Sequence, residues 1–533
     1  MNNRGTFFKR RKNKQLEHSS TDEMITDIKQ EELSFDLTKN KELIKKAFGN
    51  TMDFKIEEVT FGDKAAIICY IDTMVAKNKI VEQVFKPLES VNAEEGIHIT
   101  EDNFEQIRKA YFAGLSFTYC KNYHQIIWHI LSGFIVIVID GIQANAFALE
   151  VINEDRRSID EPSTQTIIRG PKEGFTELLS TNISLIRRRL KNHNLQFENY
   201  IIGKESKTSI ALGYIDGITN KDILNEVRER INKIDASLIL DSGNIEEFIV
   251  DKTLTPFPLT FNTERPDSTS AQLAEGKVVL IVDGSPFVIV VPTVFTDFFQ
   301  ATEDYYQPFF MATFIRIIRY MSFMIALVLP SLYVALTTFH QELLPTELLI
   351  SIQAQREGVP FPAVVEIFMM ELTFEVLREA GIRMPRAVGQ TVSIVGALVL
   401  GQAAVEAGLV SNVLVIIVAF TAIASFVSPI YNFSIATRLL RFILILAAAS
   451  LGLYGVLLGL VIMVIHLTSL RSFGISYLTP VAPLLIEDQT DVFVRLPIWA
   501  NKKRPSYLKT AAPIKKEHTN NPSPPTQSKG DQE

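Results

Sequence analysis

From Tyr320 to Phe339 the chain runs for twenty residues without a charge. A helix needs about 20 apolar residues to cross a hydrocarbon core of ~30 Å, so this run predicts a membrane span. Its interior Pro330 is a break that a neighbouring helix can re-satisfy in lipid. The pattern predicts further spans over Val388–Val405, over Leu409–Phe426 and within Phe442–Leu470. The last run exceeds one crossing and falls short of two, which fits either a tilted long helix or a tight helical hairpin. Between the first two spans, Pro362–Gly381 has helical periodicity. Glu371, Glu375 and Glu379 recur at four-residue steps on one face, opposite Val365, Phe368, Leu372 and Val376. Such a helix is expected at a membrane interface or as a re-entrant segment.

Residues 41–300 show shorter periods. Ser132–Leu149 and Lys277–Val291 share one design: a β-branched run, Asp-Gly, then a second apolar run. Asp-Gly supplies the positive φ of a tight hairpin, so each predicts two paired strands, with Ser209–Asn220 a weaker third case. The likeness reads either as two related subdomains, 41–160 and 161–300, or as convergence on a common turn. In Phe175–Lys191, Phe175, Leu178, Leu179, Ile183 and Ile186 form one stripe. Arg187, Arg188 and Arg189 then complement the macrodipole as a surface helix end, or meet lipid or a partner. The expected fold is a cytosolic two-subdomain α/β region, then a helical membrane domain over 310–480 with about four spans. A basic tail (1–40) precedes it and a Pro/Lys-rich tail (481–533) follows, disordered after Lys502.

The net charge of −7 over 533 residues is contradicted locally at both ends. Residues 1–14 hold six Lys or Arg and no acid, a solvated tail able to touch anionic headgroups. Cys69 and Cys120 alone exclude a disulfide framework and suit a reducing cytosol. The start lacks the apolar core of a signal peptide, which predicts that the first 300 residues are cytosolic. Arg316 and Arg319 before the first span, and Arg471, Lys502, Lys503 and Arg504 after the last, place both flanks and both termini inside. No phosphate-binding loop, zinc-protease motif or nucleophile elbow occurs, and His124 and His129 have no carboxylate cluster. The chain is therefore expected not to be an enzyme and to use no metal, cofactor or nucleic acid.

Small residues mark expected helix contacts at Ala397, Gly401, Gly455 and Gly459. On the second span, Val395, Leu398, Val399 and Gln402 share a helix face, and Glu406 lies one turn beyond Gln402. These five are candidate pore lining, an apolar belt beside polar groups that closes by dewetting; packing against helices or lipid is the alternative. In a ring of subunits Glu371, Glu375 and Glu379 would form an acidic vestibule; in one chain they read as a solvated face.

From about Pro256 to Pro483 an ordered series of motifs resembles the GerA family of spore germination proteins, the A subunits of nutrient germinant receptors. It runs through Glu264-Arg265-Pro266-Asp267, Val282 to Phe287, Phe298-Phe299-Gln300, Glu303-Asp304-Tyr305-Tyr306, Tyr333 to His340 and Arg356 to Pro362. It continues through Ser393 to Gln402, Ile430-Tyr431-Asn432, Arg438 to Phe442 and Leu470 to Gly474. Gly170–Glu177 and Asn182–Arg189 resemble the family's cytosolic domain. One departure is Leu259, where the family usually has Gln. The resemblance implies a spore inner-membrane protein with a transporter-like B subunit, a lipoprotein C subunit, membrane lipid around it, and a homo-oligomeric ring forming a cation path. The two subdomains would resemble lobes of substrate-binding proteins. Three alternatives stay open: a SpoVAF-like accessory protein of the dipicolinic-acid release system, a non-conducting scaffold, and a secondary transporter, for which the spans are few.

Overall fold

The computed structural model describes residues 32–93, 98–112, 116–141, 146–151, 161–384 and 401–515. Lobe 1 contains α1 (Leu37–Phe48), β1 (Phe54–Phe61), β2 (Lys64–Ile71), α2 (Lys86–Ala93), α3 (Glu101–Tyr111), β3 (Phe117–Cys120), α4 (Tyr123–Leu131), β4 (Phe134–Ile139) and β5 (Ala146–Glu150). Lobe 2 contains α5 (Leu179–Arg189), β6 (Leu195–Ile202), β7 (Thr208–Ile215), α6 (Lys221–Asn232), α7 (Ser242–Ile249), β8 (Phe261–Thr263), α8 (Pro266–Glu275), β9 (Val278–Val282) and β10 (Val288–Val291). The sheet orders, β1-β2-β4-β5-β3 and β6-β7-β9-β10-β8, are the same path drawn twice. Every strand pairing within them is antiparallel, so the lobes are α+β and not the parallel α/β type.

Both central sheets are covered on two faces, because successive residues point to opposite sides. Ile67, Cys69 and Ile71 pack with α1 and α4, while Ile68 and Tyr70 pack with α2 and α3. The same small devices recur in each lobe. Asp140 Oδ1 accepts from the Leu37 N–H that opens α1 (3.1 Å), and Asp283 Oδ1 accepts from the Leu179 N–H that opens α5 (3.0 Å). Asn40 closes a loop on both main-chain groups of Ser34 (3.0 and 2.7 Å); Asn182 does so on Thr176 (2.8 and 2.6 Å). Gly141 and Gly284 supply the positive φ (70° and 89°) after these aspartates. Ser209–Asn220 is not a hairpin: β7 ends at Ile215, Gly217 turns the chain, and Asn220 caps α6. In the Phe175–Lys191 stripe, Leu178 is the exposed residue before the helix, and the other four face the core.

The membrane-type helices begin with α9 (Phe309–Thr338), eleven residues before Tyr320. Then come α10 (Thr346–Arg356), α11 (Ala363–Arg383), α12 (Asn412–Phe426) and α13 (Tyr431–Ser469). By length and composition α9 with 30 residues and α13 with 39, the latter counted across a break at Gly452, are long and apolar enough to cross a bilayer. At 1.5 Å per residue the 15 residues of α12 reach only about 22 Å. Most of the expected Val388–Val405 span lies outside the described residues; 401–406 are helical.

Of the two readings left open for 442–470, the structure adopts the hairpin. Gly452 is non-helical (φ 61°, ψ −140°) in the middle of α13. In a straight helix Phe433 and His466 would be about 50 Å apart, yet both rings lie within 6.4 Å of the Phe257 ring. An added Cβ at Gly455 would sit 2.1 Å from the Ala447 carbonyl oxygen, and one at Gly459 would sit 2.5 Å from Leu444. At Gly401 it would meet Val415 at an ordinary 3.6 Å. Gly455→Leu is therefore expected to cost about 1–3 kcal/mol by overpacking and Gly401→Leu clearly less. Thermal unfolding in detergent checks the order, and equal losses would place the tight contact wrongly.

The tail expected to be disordered after Lys502 is instead a strap folded onto lobe 2 as far as Lys515. Leu508 is fully buried, and the Ala511 N–H donates to the Ile218 carbonyl at 3.0 Å. The apolar contact and the backbone bonds outweigh the local Pro and Lys content.

Candidate functional site

Where lobe 2 meets the membrane helices, its core is continuous with theirs. Phe298 and Phe299 pack with Phe323 and Phe433 in one aromatic cluster. Around it lies a ring of buried ion pairs, to which Arg265, Asp267 and Asp304 of the motifs that carry the family resemblance contribute. Asp267 holds Arg265 at 2.7 Å and accepts from the Tyr306 hydroxyl at 2.8 Å. Asp304 holds both Arg316 (3.1 Å) and Arg319 (2.8 Å), and Arg316 also reaches Asp491 at 2.8 Å. Lys277 is fully buried against Asp297 at 2.6 Å. Burial raises the Asp491 carboxyl above its ordinary value, with Arg316 and the Tyr305 hydroxyl pulling against it. Arg316 and Arg319 are thus not the free positive flanks that their sequence position predicts: Asp304 and Asp491 hold them inside the fold.

Deeper in the bundle, Pro330 lacks the N–H that would bond the carbonyl four residues back, at Ala326. Arg441 Nε donates to that oxygen at 2.7 Å, and Arg441 Nη1 holds Glu371 at 2.6 Å. One side chain on α13 therefore ties α9 to α11, with both ion-pair partners 1% exposed. Glu375 is held by Arg438 at 2.5 Å and by Arg378 at 3.6 Å, while Arg378 also donates to Ser425 on α12 at 2.9 Å. Nearby, Glu366 is buried between Arg356 (3.3 Å) and the Ser411 N–H (3.2 Å).

The acidic stripe is accordingly not one solvated face in this chain. Glu371 and Glu375 are turned inward to arginines, because a carboxylate at this depth needs a counter-charge, and only Glu379, paired with Arg383, stays exposed. Of the pore candidates, Val395, Leu398 and Val399 lie outside the described residues, as does Ala397. Gln402 and Glu406 are exposed on the bundle and joined by a 2.9 Å hydrogen bond. Sequence reasoning missed Arg356, Arg438 and Arg441 as partners. The signal was available: charges inside an otherwise apolar stretch, and a proline that frees a carbonyl four residues before it.

The lobes are joined by a second buried pair. Arg187 on α5 is bidentate to Asp53 of lobe 1, Nε to Oδ2 at 2.9 Å and Nη2 to Oδ1 at 2.7 Å, both side chains fully buried. Thr51 donates to Asp53 (2.7 Å) and accepts from Arg187 Nη2 (2.9 Å) and from the Phe197 N–H (3.1 Å). Arg187 is thus an interlobe clamp, not part of a solvated basic helix end.

Residues 42–507 match the family described as Bacillus/Clostridium GerA spore germination protein. The spore germination protein KA of Bacillus subtilis (strain 168) is 46% identical over 92% of this chain and 90% of its own length. The spore germination protein GerLA of Bacillus cereus is 41% identical over 88% of this chain and 94% of its own. An uncharacterized membrane protein, YfkQ of Bacillus subtilis (strain 168), is 40% identical over 90% and 93%. The crystal structure of the N-terminal domain of the A subunit of the Bacillus megaterium spore germinant receptor GerK3 is 31% identical and covers 50% of this chain and 98% of its own, with a TM-score of 0.39. With a match that runs from lobe 1 into the strap, this chain belongs to the GerA family of spore germination proteins.

Proposed function

We propose that the chain is the A-type subunit of a spore germinant receptor, a multi-pass protein of the spore membrane that works with B and C subunits and contributes to an oligomeric cation path. The observation that carries this reading is the likeness to spore germination protein KA along 92% of the chain. The geometry supports conduction through Gln402 and Glu406. A glutamine and a glutamate on the outer face of a membrane bundle are costly against lipid, and a water-filled path between subunits removes that cost. Val395, Leu398 and Val399, which precede Gln402 at three- and four-residue steps in the sequence, would supply the apolar belt that closes the path by dewetting.

Potassium release from spores tests the proposal. Val399→Ala widens the belt and is expected to give release without nutrient, at least several-fold above wild type. Glu406→Gln is expected to slow nutrient-triggered release most at low salt, where screening is weakest. Wild-type behaviour of both variants would move the path elsewhere or to another subunit.

A further inference from the structure

The strap covers a cavity of about 480 Å³, in the size range of small-ligand sites. Its apolar walls include Ala271 and Ala274 of α8 on one side and Tyr305 and Leu496 on the other. The charges around it do not balance. Glu275 is matched by Lys515 at 2.9 Å, and Asp491 by Arg316 at 2.8 Å. Arg495 and Arg504 also line the cavity, but their side chains donate to main-chain carbonyls. Arg495 Nη1 donates to Gln307 (3.0 Å); Arg504 Nε donates to Ala274 (2.9 Å), and its Nη1 to Ala512 (2.7 Å) and Ile514 (3.1 Å). Among the described residues neither arginine has a carboxylate within ion-pair distance. Arg495 is 3% exposed and stacks over the Tyr305 ring, 5.4 Å from its centroid. Burial lowers the Arg504 pKa although Glu275 opposes this, the signature of a cation short of counter-charge.

We infer that this cavity binds a small anion, a carboxylate or phosphate carried on an apolar body, with Arg504 and Arg495 meeting the charge and α8 and Leu496 the carbon. The guanidinium donors that the carbonyls leave over, Nη2 of Arg504 with Nε and Nη2 of Arg495, suit either oxyanion. The site goes beyond the conduction reading and does not depend on it.

The chain has two tryptophans, and Trp499 adjoins the cavity-lining Ile498, so Trp128→Phe leaves one local reporter. Full-length protein in neutral detergent is titrated with phenylacetate, benzyl phosphate, benzyl alcohol and benzylamine. A saturable change in Trp499 fluorescence is expected for the two anions, with the alcohol and the amine at least tenfold weaker. Arg504→Gln is expected to weaken the anions at least tenfold. Ala271→Phe, at an exposed wall position, fills the cavity and is expected to abolish binding with an unchanged melting temperature. Competition by phosphatidylglycerol bicelles would identify the natural anion as a lipid headgroup; without competition it is a free molecule. The inference is overturned if neither anion binds, if the alcohol or the amine binds equally well, or if Ala271→Phe binds like wild type.

Discussion

Arg441→Met is expected to destabilise the helix bundle by about 3–5 kcal/mol, the cost of stranding one member of a buried ion pair. The methionine fills similar space, so the loss is electrostatic. Glu371 loses its counter-ion, and the Ala326 carbonyl freed by Pro330 loses its donor. Glu371→Gln should cost less, because an amide oxygen still accepts from Arg441. The reversed pair, Glu371→Arg with Arg441→Glu, should recover only part of the loss, since a carboxylate at 441 cannot donate to Ala326. Thermal unfolding in detergent orders the three variants. If Arg441→Met melts with wild type, or the reversed pair recovers everything, the bridge does not hold the bundle as described.

Asp53→Ala is expected to cost a similar ~3–5 kcal/mol at the interlobe clamp, where Arg187 would be left buried without its partner. The pH dependence follows from the same geometry. Burial pushes the Asp53 carboxyl up, but the charge and hydrogen bonds of Arg187, helped by Thr51, outweigh it and hold the group below its ordinary value. A carboxylate lowered on folding contributes stability that is complete above its unfolded pKa and is lost as pH falls through the folded one. The clamp should therefore be indifferent to pH near neutrality and open only in acid, below about pH 4. Hydrogen exchange of the Met52 and Phe197 amides in the full chain reads this out, because Met52 N–H bonds the Phe197 carbonyl at 2.9 Å and Phe197 N–H bonds Thr51. Opening of the wild type between pH 6 and 8 would show that another group controls the junction.

What the sequence disclosed were local features. The two Asp-Gly hairpins were readable because turn chemistry is decided within four residues. Their membership in a repeated lobe was not. The matching devices, Asn40 with Asn182 and Asp140 with Asp283, lie 142 and 143 residues apart and are single residues among dissimilar neighbours. The surroundings of the first part of α9 were hidden for a similar reason. Arg316 reads as a solvated flank until Asp491, 175 positions away, neutralises it. The inward turn of Glu371 depends on Arg441, 70 positions on, so a four-residue spacing could show the shared face but not what the face meets.

The hairpin at Gly452 brings both ends of α13 back to lobe 2. Tyr431 and Ser469 begin and end on the side where lobe 2 sits, since the Phe257 loop touches both arms and the His466 ring shares a 2.9 Å hydrogen bond with Thr255. The strap then docks on that same lobe through Ile218 and Asn220. Both ends of α13 and the strap as far as Lys515 therefore lie at the same end of the helix bundle, against lobe 2. Contact geometry fixes that relation without reference to the charges on either flank.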